Sequence, residues 1–194
     1  MKLQIIVGST RAGRISDRVA QWAANEAKAL DGAEVEIVDL ADYPMPFFDE
    51  PISPQYNPAR TPAPEVKKFL DKLAEADAYA IVTPEYNRSF TGVLKNALDY
   101  IDFQIAKKPV AIIAHGSSGG AQAVAQLRGV IPGLKAVTTP TATFVAGQAS
   151  QLIDESGNIL DEEVKASPYG PQSALRGTLA ELKWYSDALS AARQ

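Results

Sequence analysis

Apolar positions along this chain switch between two spacings. Short runs in which every residue, or every second one, is apolar alternate with longer stretches where apolar side chains recur every three or four residues. The first spacing predicts strands and the second predicts helices. Leu3 to Val7 reads as a buried strand, and Ser16 with the helically spaced Val19, Trp22, Ala23 and Leu30 reads as a helix capped by Ser16. Asp31 and Gly32 stop it. Residues 33–40 then alternate through Glu34, Val35, Glu36 and Ile37, the pattern of a strand exposed on one side at a sheet edge. A helix starts near Pro64 and carries Val66, Phe69, Leu70 and Leu73 on one face. Residues 78–83 and 110–114 are nearly all apolar and predict a third and a fourth strand, each followed by a helical stretch: 93–103, and one with Val124, Leu127 and Ile131. A fifth strand is expected around residues 135–139, and Leu175, Leu179, Leu182 and Leu189 mark a last helix.

Two segments fit neither spacing. Residues 43–64 hold prolines at 44, 46, 51, 54, 58, 62 and 64, too many for a helix or a central strand. A flexible linker is one reading; Phe47, Phe48 and Tyr56 favour a surface loop that packs over something. Residues 145–171 read as irregular, with a turn at 154–157. Strands alternating with helices imply an α/β fold with a doubly wound parallel sheet, because a parallel connection must cross over and the crossover is usually a helix. The chain length suits one domain over residues 1–194. Three loops, after strands one, three and four, carry the unusual chemistry, and all three lie at carboxyl ends of strands, where open parallel sheets bind ligands.

The first loop, Gly8-Ser9-Thr10-Arg11-Ala12-Gly13-Arg14-Ile15-Ser16, sets hydroxyls and guanidinium groups where helix N–H groups face outward, the geometry of an anion site. Gly8 and Gly13 have the spacing of the two Walker glycines, but Arg14 replaces the lysine and Ile15 the magnesium-binding hydroxyl, and the dinucleotide fingerprint of three glycines is absent. What remains suits a phosphate monoester: Ser9, Thr10 and Ser16 hydroxyls, backbone N–H groups, and Arg11 or Arg14 for charge. An ordinary polar turn is the alternative. The loop after the third strand, Pro84-Glu85-Tyr86-Asn87, offers a ring that can stack on a planar heterocycle and an amide that can read its edge. Glu85 is expected to face solvent or to hold the loop. Gly116-Ser117-Ser118-Gly119-Gly120 matches a Gly-x-Ser-x-Gly nucleophile elbow. That mechanism needs a histidine after the serine in the chain. The one histidine, His115, precedes Ser118 by three residues, so the loop is better read as backbone donors with small side chains that let a flat ring approach. His115 itself is expected to be structural.

Composition narrows the chemistry further. The absence of cysteine excludes disulfides, thiolate metal sites and a cysteine nucleophile, and a single histidine excludes a multi-histidine metal site. A net charge of −4 gives no general reason to bind nucleic acid or an anionic membrane. No apolar segment is long enough to span a bilayer or to form a secretory core, so a cytoplasmic location is the default expectation.

Gly8-Ser9-Thr10-Arg11 with Ser16, then Thr83-Pro84-Glu85-Tyr86-Asn87 with Gly92-x-Leu94-Lys95-Asn96-Ala97-Leu98-Asp99-Tyr100, then Gly116 to Gly120, together resemble the NADPH-dependent FMN reductase family over roughly the first two thirds of the chain. The resemblance implies a flavodoxin-like three-layer sandwich with a five-stranded sheet of order 2-1-3-4-5, noncovalent FMN, and NADPH or NADH as electron donor to a small-molecule acceptor. It implies that Ser9, Arg11, Ile15 and Ser16 hold the FMN phosphate, with Arg14 in the same loop, that Pro84, Glu85, Tyr86 and Asn87 meet the ribityl chain and isoalloxazine, and that Gly116, Ser117, Ser118, Gly119 and Gly120 line the ring. No protein acid or base is expected for hydride transfer. The resemblance further implies a homodimer or homotetramer with contacts through the helix around Leu94 to Phe103, Tyr100, Ile101 and Phe103 being either its contact surface or part of the monomer core.

Overall fold

The alternating pattern resolves, in a computed structural model describing residues 1–193, into one five-stranded sheet in which every pairing is parallel and the strand order is β2-β1-β3-β4-β5. The strands are β1 (Lys2–Val7), β2 (Glu34–Asp39), β3 (Ala78–Pro84), β4 (Pro109–Gly116) and β5 (Val137–Ala146). The main helices are α1 (Ser16–Ala27), α2 (Pro64–Ala74), α3 (Gly92–Asp99), α4 (Ala121–Val130) and, after two short ones, α5 (Ala149–Leu152) and α6 (Glu162–Ala166), the long α7 (Pro171–Arg193).

Two apolar cores follow from the period-two geometry of the strands. Leu3, Ile5 and Val7 of β1, with the small Ala78 and Ala80 of β3, pack against α1 and α7. Ile6, Tyr79 and Ile81 point to the other side, where α2, α3 and α4 supply Phe69, Leu73, Leu94 and Leu127. The central β3 is buried along its whole length, whereas β2 keeps an exposed residue at Glu34 and at Ile37. This is the edge position that its alternation predicts.

Several boundaries differ from the sequence reading for physical reasons. The fifth strand runs to Ala146, well past Pro140, because its register against β4 shifts between Val110 and Ile112. Such a bulge is where a sheet tolerates a proline. The helix expected over 93–103 ends at Asp99. In the segment that follows, Arg60 donates to the Tyr100 carbonyl (2.6 Å) and pairs with Asp102 (2.7 Å) and Glu50 (2.8 Å). Arg60, its side chain almost wholly buried, thus anchors the proline-rich segment to the chain after α3, where Phe48 packs edge-on against Tyr100 (5.2 Å between ring centres). Phe47 and Tyr56 of the same segment stay exposed. Residues 145–171 contain α5, α6 and an antiparallel bridge between Ile153 and Ile159, whose side chains join the α1/α7 core.

Candidate functional site

The loops after β1, β3 and β4 meet at the carboxyl edge of the three central strands. Gly8 N–H donates to the Val82 carbonyl (2.8 Å) and Glu85 N–H to the His115 carbonyl (2.9 Å), so each loop leaves the sheet in register with its neighbour. Thr91 tightens the first junction: its hydroxyl donates to the Gly8 carbonyl and accepts the Leu94 N–H (3.1 Å), capping α3.

In the first loop the structure corrects one assignment. Ser16 is the first helical residue of α1, and the position before it is Ile15, whose side chain caps nothing. Of the N–H groups opening this twelve-residue helix, that of Arg18 is taken by the Asp17 carboxylate (2.9 Å), while those of Ser16 and Asp17 have no side-chain acceptor among the described residues, and such groups, with the helix dipole behind them, suit an anion. The two arginines separate. Arg14 makes a bidentate pair with Asp39 at the end of β2 and donates to the Ser9 carbonyl (2.6 Å), holding the loop in shape. Arg11 is exposed, has no carboxylate partner among the described residues, and lies over the Tyr86 ring (5.5 Å to its centre). Arg11 is the loop's free positive charge. Ser9 is buried with its hydroxyl 3.4 Å from the Tyr86 hydroxyl.

The second loop is a tight hairpin. Tyr86 and Ser89 exchange backbone hydrogen bonds (2.8 and 3.0 Å) around Asn87 (φ 50°) and Arg88 (φ 67°), the positive-φ pair of a type I′ turn. Gln126 of α4 fastens it, accepting from the Ser89 hydroxyl (2.6 Å) and donating to the Arg88 carbonyl (2.7 Å). Pro84 is buried at the strand end, Tyr86 is half-buried, and Asn87 is exposed at the tip. Glu85 holds the loop: its carboxylate accepts the Gln122 N–H (2.9 Å) and caps α4, whose own cap residue, Gly120, has no side chain to do so. Neither Gln126 nor Thr91 is legible as part of this arrangement from sequence, because each acts across 37 or more residues on a backbone atom or hydroxyl.

The third loop keeps Ser117 and Ser118 exposed while Gly119 and Gly120 are buried beneath them. Gly120 has φ 84°, and a Cβ there would lie 2.5 Å from the Ala114 Cβ, so only glycine fits between β4 and α4. The hydrolase reading fails on geometry as well as chain order, since the His115 Nε2 pairs with the Ser16 hydroxyl (2.9 Å) rather than with Ser118. His115 is buried, and desolvation pushes its pKa down to about 4, with Asp17 pulling weakly the other way. The ring is therefore neutral in the folded chain at neutral pH. Between the ordinary imidazole pKa and about 4 the unfolded chain binds the extra proton and the folded one does not, so this group's contribution to stability is complete above the ordinary value and falls as the pH drops through that window. Urea denaturation at pH 7 and pH 4.5 is expected to show a smaller acid loss for His115→Gln than for the native chain; equal losses would mean that the imidazole does not titrate this way.

The site thus sets a helix start with two N–H groups free of side-chain acceptors, an unpaired guanidinium, a ring and an amide on a hydrogen-bonded hairpin, and a glycine turn along one edge. The family model for NADPH-dependent FMN reductase matches residues 1–151. An NAD(P)H-dependent FMN reductase of Schizosaccharomyces pombe is 34% identical over 140 residues, covering 72% of this chain and 70% of its own. An NAD(P)H:quinone oxidoreductase of Solanum tuberosum is 30% identical over 190 residues, covering 94% and 95%. The solved structure of FerB, a flavoenzyme NAD(P)H:(acceptor) oxidoreductase from Paracoccus denitrificans, shares the fold, with a TM-score of 0.73 and 24% identity over 96% of this chain and 97% of that one. The flavodoxin-like sheet order, the three loops in their order along the chain, and these likenesses agree: the chain belongs to the NADPH-dependent FMN reductase family and is an FMN-dependent NAD(P)H oxidoreductase.

Proposed function

We propose that the chain carries electrons from NADPH or NADH to a quinone, azo compound, metal oxyanion or free flavin in two half-reactions at a single site. The observation that supports this most is the start of α1, whose Ser16 and Asp17 N–H groups have no side-chain acceptor, beside the unpaired Arg11, at the edge shared with the Tyr86 hairpin and the 116–120 turn. That donor set fits a flavin carrying one phosphate. Arg11, Ser9 and the N–H groups at Ile15 and Ser16 would hold the phosphate; Pro84, Glu85, Tyr86 and Asn87 would border the ribityl chain and ring; Gly116, Ser117, Ser118, Gly119 and Gly120 would line the ring. The redox chemistry is the flavin's, oxidising the nicotinamide and reducing the acceptor in turn. What the protein adds is orientation and charge. N–H groups of the 116–120 turn would favour negative charge on a ring that they line, and Glu85 and Gln126 keep the two loops at fixed spacing. No side chain has to move a proton for the hydride step.

We also propose that two or four copies assemble through α3. Tyr100 and Ile101 are buried within the monomer and so leave that surface to others, but Phe103 and, beside α3, Phe47 are exposed rings. Among the described residues no helix is long and apolar enough to cross a membrane.

The test is the absorption spectrum of FMN-reconstituted protein before and after anaerobic NADPH, with NADH in parallel. A bound-flavin spectrum that bleaches, and returns on adding a quinone, is the expected result. Absence of flavin retention would sink the assignment; bound flavin that neither nicotinamide reduces would point to an electron carrier serving a protein partner. Sedimentation of the same sample reads the assembly, a single-chain mass being the outcome that refutes it.

A further inference from the structure

The functional reading leaves His115 without a task, although it sits where the three loops meet. Its ring pairs with Ser16 of the first loop, its carbonyl accepts from Glu85 of the second, and Gly116 opens the third. We propose that His115 is the positioning residue of the phosphate loop: through the Ser16 hydroxyl it fixes the first turn of α1 to the end of β4 and so sets the preference for a phosphorylated flavin over riboflavin. The inference rests on reading the first loop as the phosphate end of the FMN site.

The argument begins with what a helix start needs. An α-helix usually fixes its first turn with a serine, threonine or aspartate at the cap, and that side chain takes one of the unsatisfied N–H groups for itself. Such a cap would compete with an anion for the same donors. Here the cap position is Ile15, which takes none. The fixing is done one residue further in, by a hydroxyl that is wholly buried and bonded sideways, across 99 positions of sequence, to an imidazole on β4. β4 is a sound anchor, being flanked on both sides by β3 and β5. Arg14 pins the loop to the end of β2, so the exposed stretch from Thr10 to Gly13 is held on both sides while the first-turn N–H groups of Ser16 and Asp17 stay free of side-chain acceptors, that of Arg18 being taken by Asp17. A neutral ring does this without adding a second charge near the phosphate. Holding the donors in place before binding lowers the ordering cost at the moment of binding, and only a ligand that uses those donors benefits.

This predicts a phosphate-specific effect. Apoprotein would be titrated with FMN and with riboflavin, following flavin fluorescence, for the native chain, His115→Phe, His115→Gln and Ser16→Ala. His115→Phe and Ser16→Ala are each expected to weaken FMN binding roughly 3- to 10-fold, the scale of one hydrogen bond, with riboflavin binding unchanged. Combining them should add little, since both cut the same link. His115→Gln, whose amide can reach the same hydroxyl, should recover most of the FMN affinity. Unchanged FMN affinity in His115→Phe would overturn the proposal, as would equal weakening of both ligands, which is what general loosening of the β4 loop produces. If His115→Phe does not fold, Ser16→Ala and His115→Gln decide it by the same ratio. A native chain that binds neither flavin, or both equally well, would overturn the phosphate-site reading itself, an outcome distinct from the variants alone failing to separate the two ligands.

Discussion

Replacing Arg11 by alanine is expected to weaken FMN binding about 10- to 150-fold, the largest effect of any single change in the site. A hydrogen bond to a charged partner contributes about 1.5–3 kcal/mol, and each 1.4 kcal/mol is a factor of ten in affinity. Arg11 is the residue to carry this because its guanidinium has no carboxylate partner among the described residues and is parked over the Tyr86 ring, an exposed contact worth about 0.5–1 kcal/mol that phosphate can outcompete. Arg14 cannot play the same part without releasing Asp39 and the Ser9 carbonyl. Arg14→Ala should therefore lower thermal stability together with FMN affinity, whereas Arg11→Ala should leave the apoprotein's melting temperature unchanged. Once Arg11→Ala is saturated with FMN, reduction by NADPH should proceed at close to the native rate, since the proposed site puts the guanidinium at the end of the cofactor remote from the reacting ring. Equilibrium titration and a single-turnover reduction experiment separate the two quantities. Normal FMN affinity in Arg11→Ala would contradict the placement of the phosphate, and a slowed reduction at full occupancy would move Arg11 to the ring.

The same loop shows how far the sequence carries and where it stops. Its strand-loop-helix context, its hydroxyls and its two arginines are local features, visible in one stretch of chain. The division of labour between the arginines is not, because it depends on Asp39, 25 residues away at the end of another strand. Ser16 reads as a cap because serine at a helix start usually is one; the hydroxyl instead turns inward to a histidine that no local pattern pairs with it. The alternation in β2 announces an edge strand, and the fold class follows from strands alternating with helices, but the extension of β5 through Pro140 depends on a register shift against β4 that only the assembled sheet displays. Glu85 is a middle case. Holding the loop is one of the two uses its sequence context suggests, and its target, the Gln122 N–H, becomes apparent once Gly120 is seen to lack a side chain to cap the start of α4.

The stretch the sequence leaves least legible, residues 145–171, contains the position where one added methyl group should cost most. Gly157→Ala is expected to destabilise the fold by about 3 kcal/mol or more. Gly157 has φ 76°, a conformation that costs an L-residue roughly 1–2 kcal/mol, and a Cβ built on it would lie 2.4 Å from the Trp22 backbone nitrogen and 2.6 Å from the Gln21 carbonyl carbon. The obstacle is helix backbone rather than a side chain that can swing aside. Around it the turn is tied to α1 by Asn25, which donates to the Ser156 carbonyl (2.8 Å), and by the Arg18–Glu155 pair (3.0 Å), while Asp154 accepts from the N–H groups of Ser156 and Asn158 (2.9 and 2.8 Å). Relieving the clash means lifting the whole turn, and with it Ile153 and Ile159, off the α1/α7 core. For a chain of this size the melting temperature should fall by roughly 6–12 °C. Gly177→Ala is the control: Gly177 lies within α7, with open space where a Cβ would go, so the substitution is expected to be neutral or to stabilise by up to about 1 kcal/mol. Calorimetry on the two variants decides the point. A Gly157→Ala protein that melts with the native one would mean that the turn is not seated on α1, and that residues 154–159 are a loose surface loop rather than part of the packing that holds the start of α1, and with it the loop after β1, against the sheet.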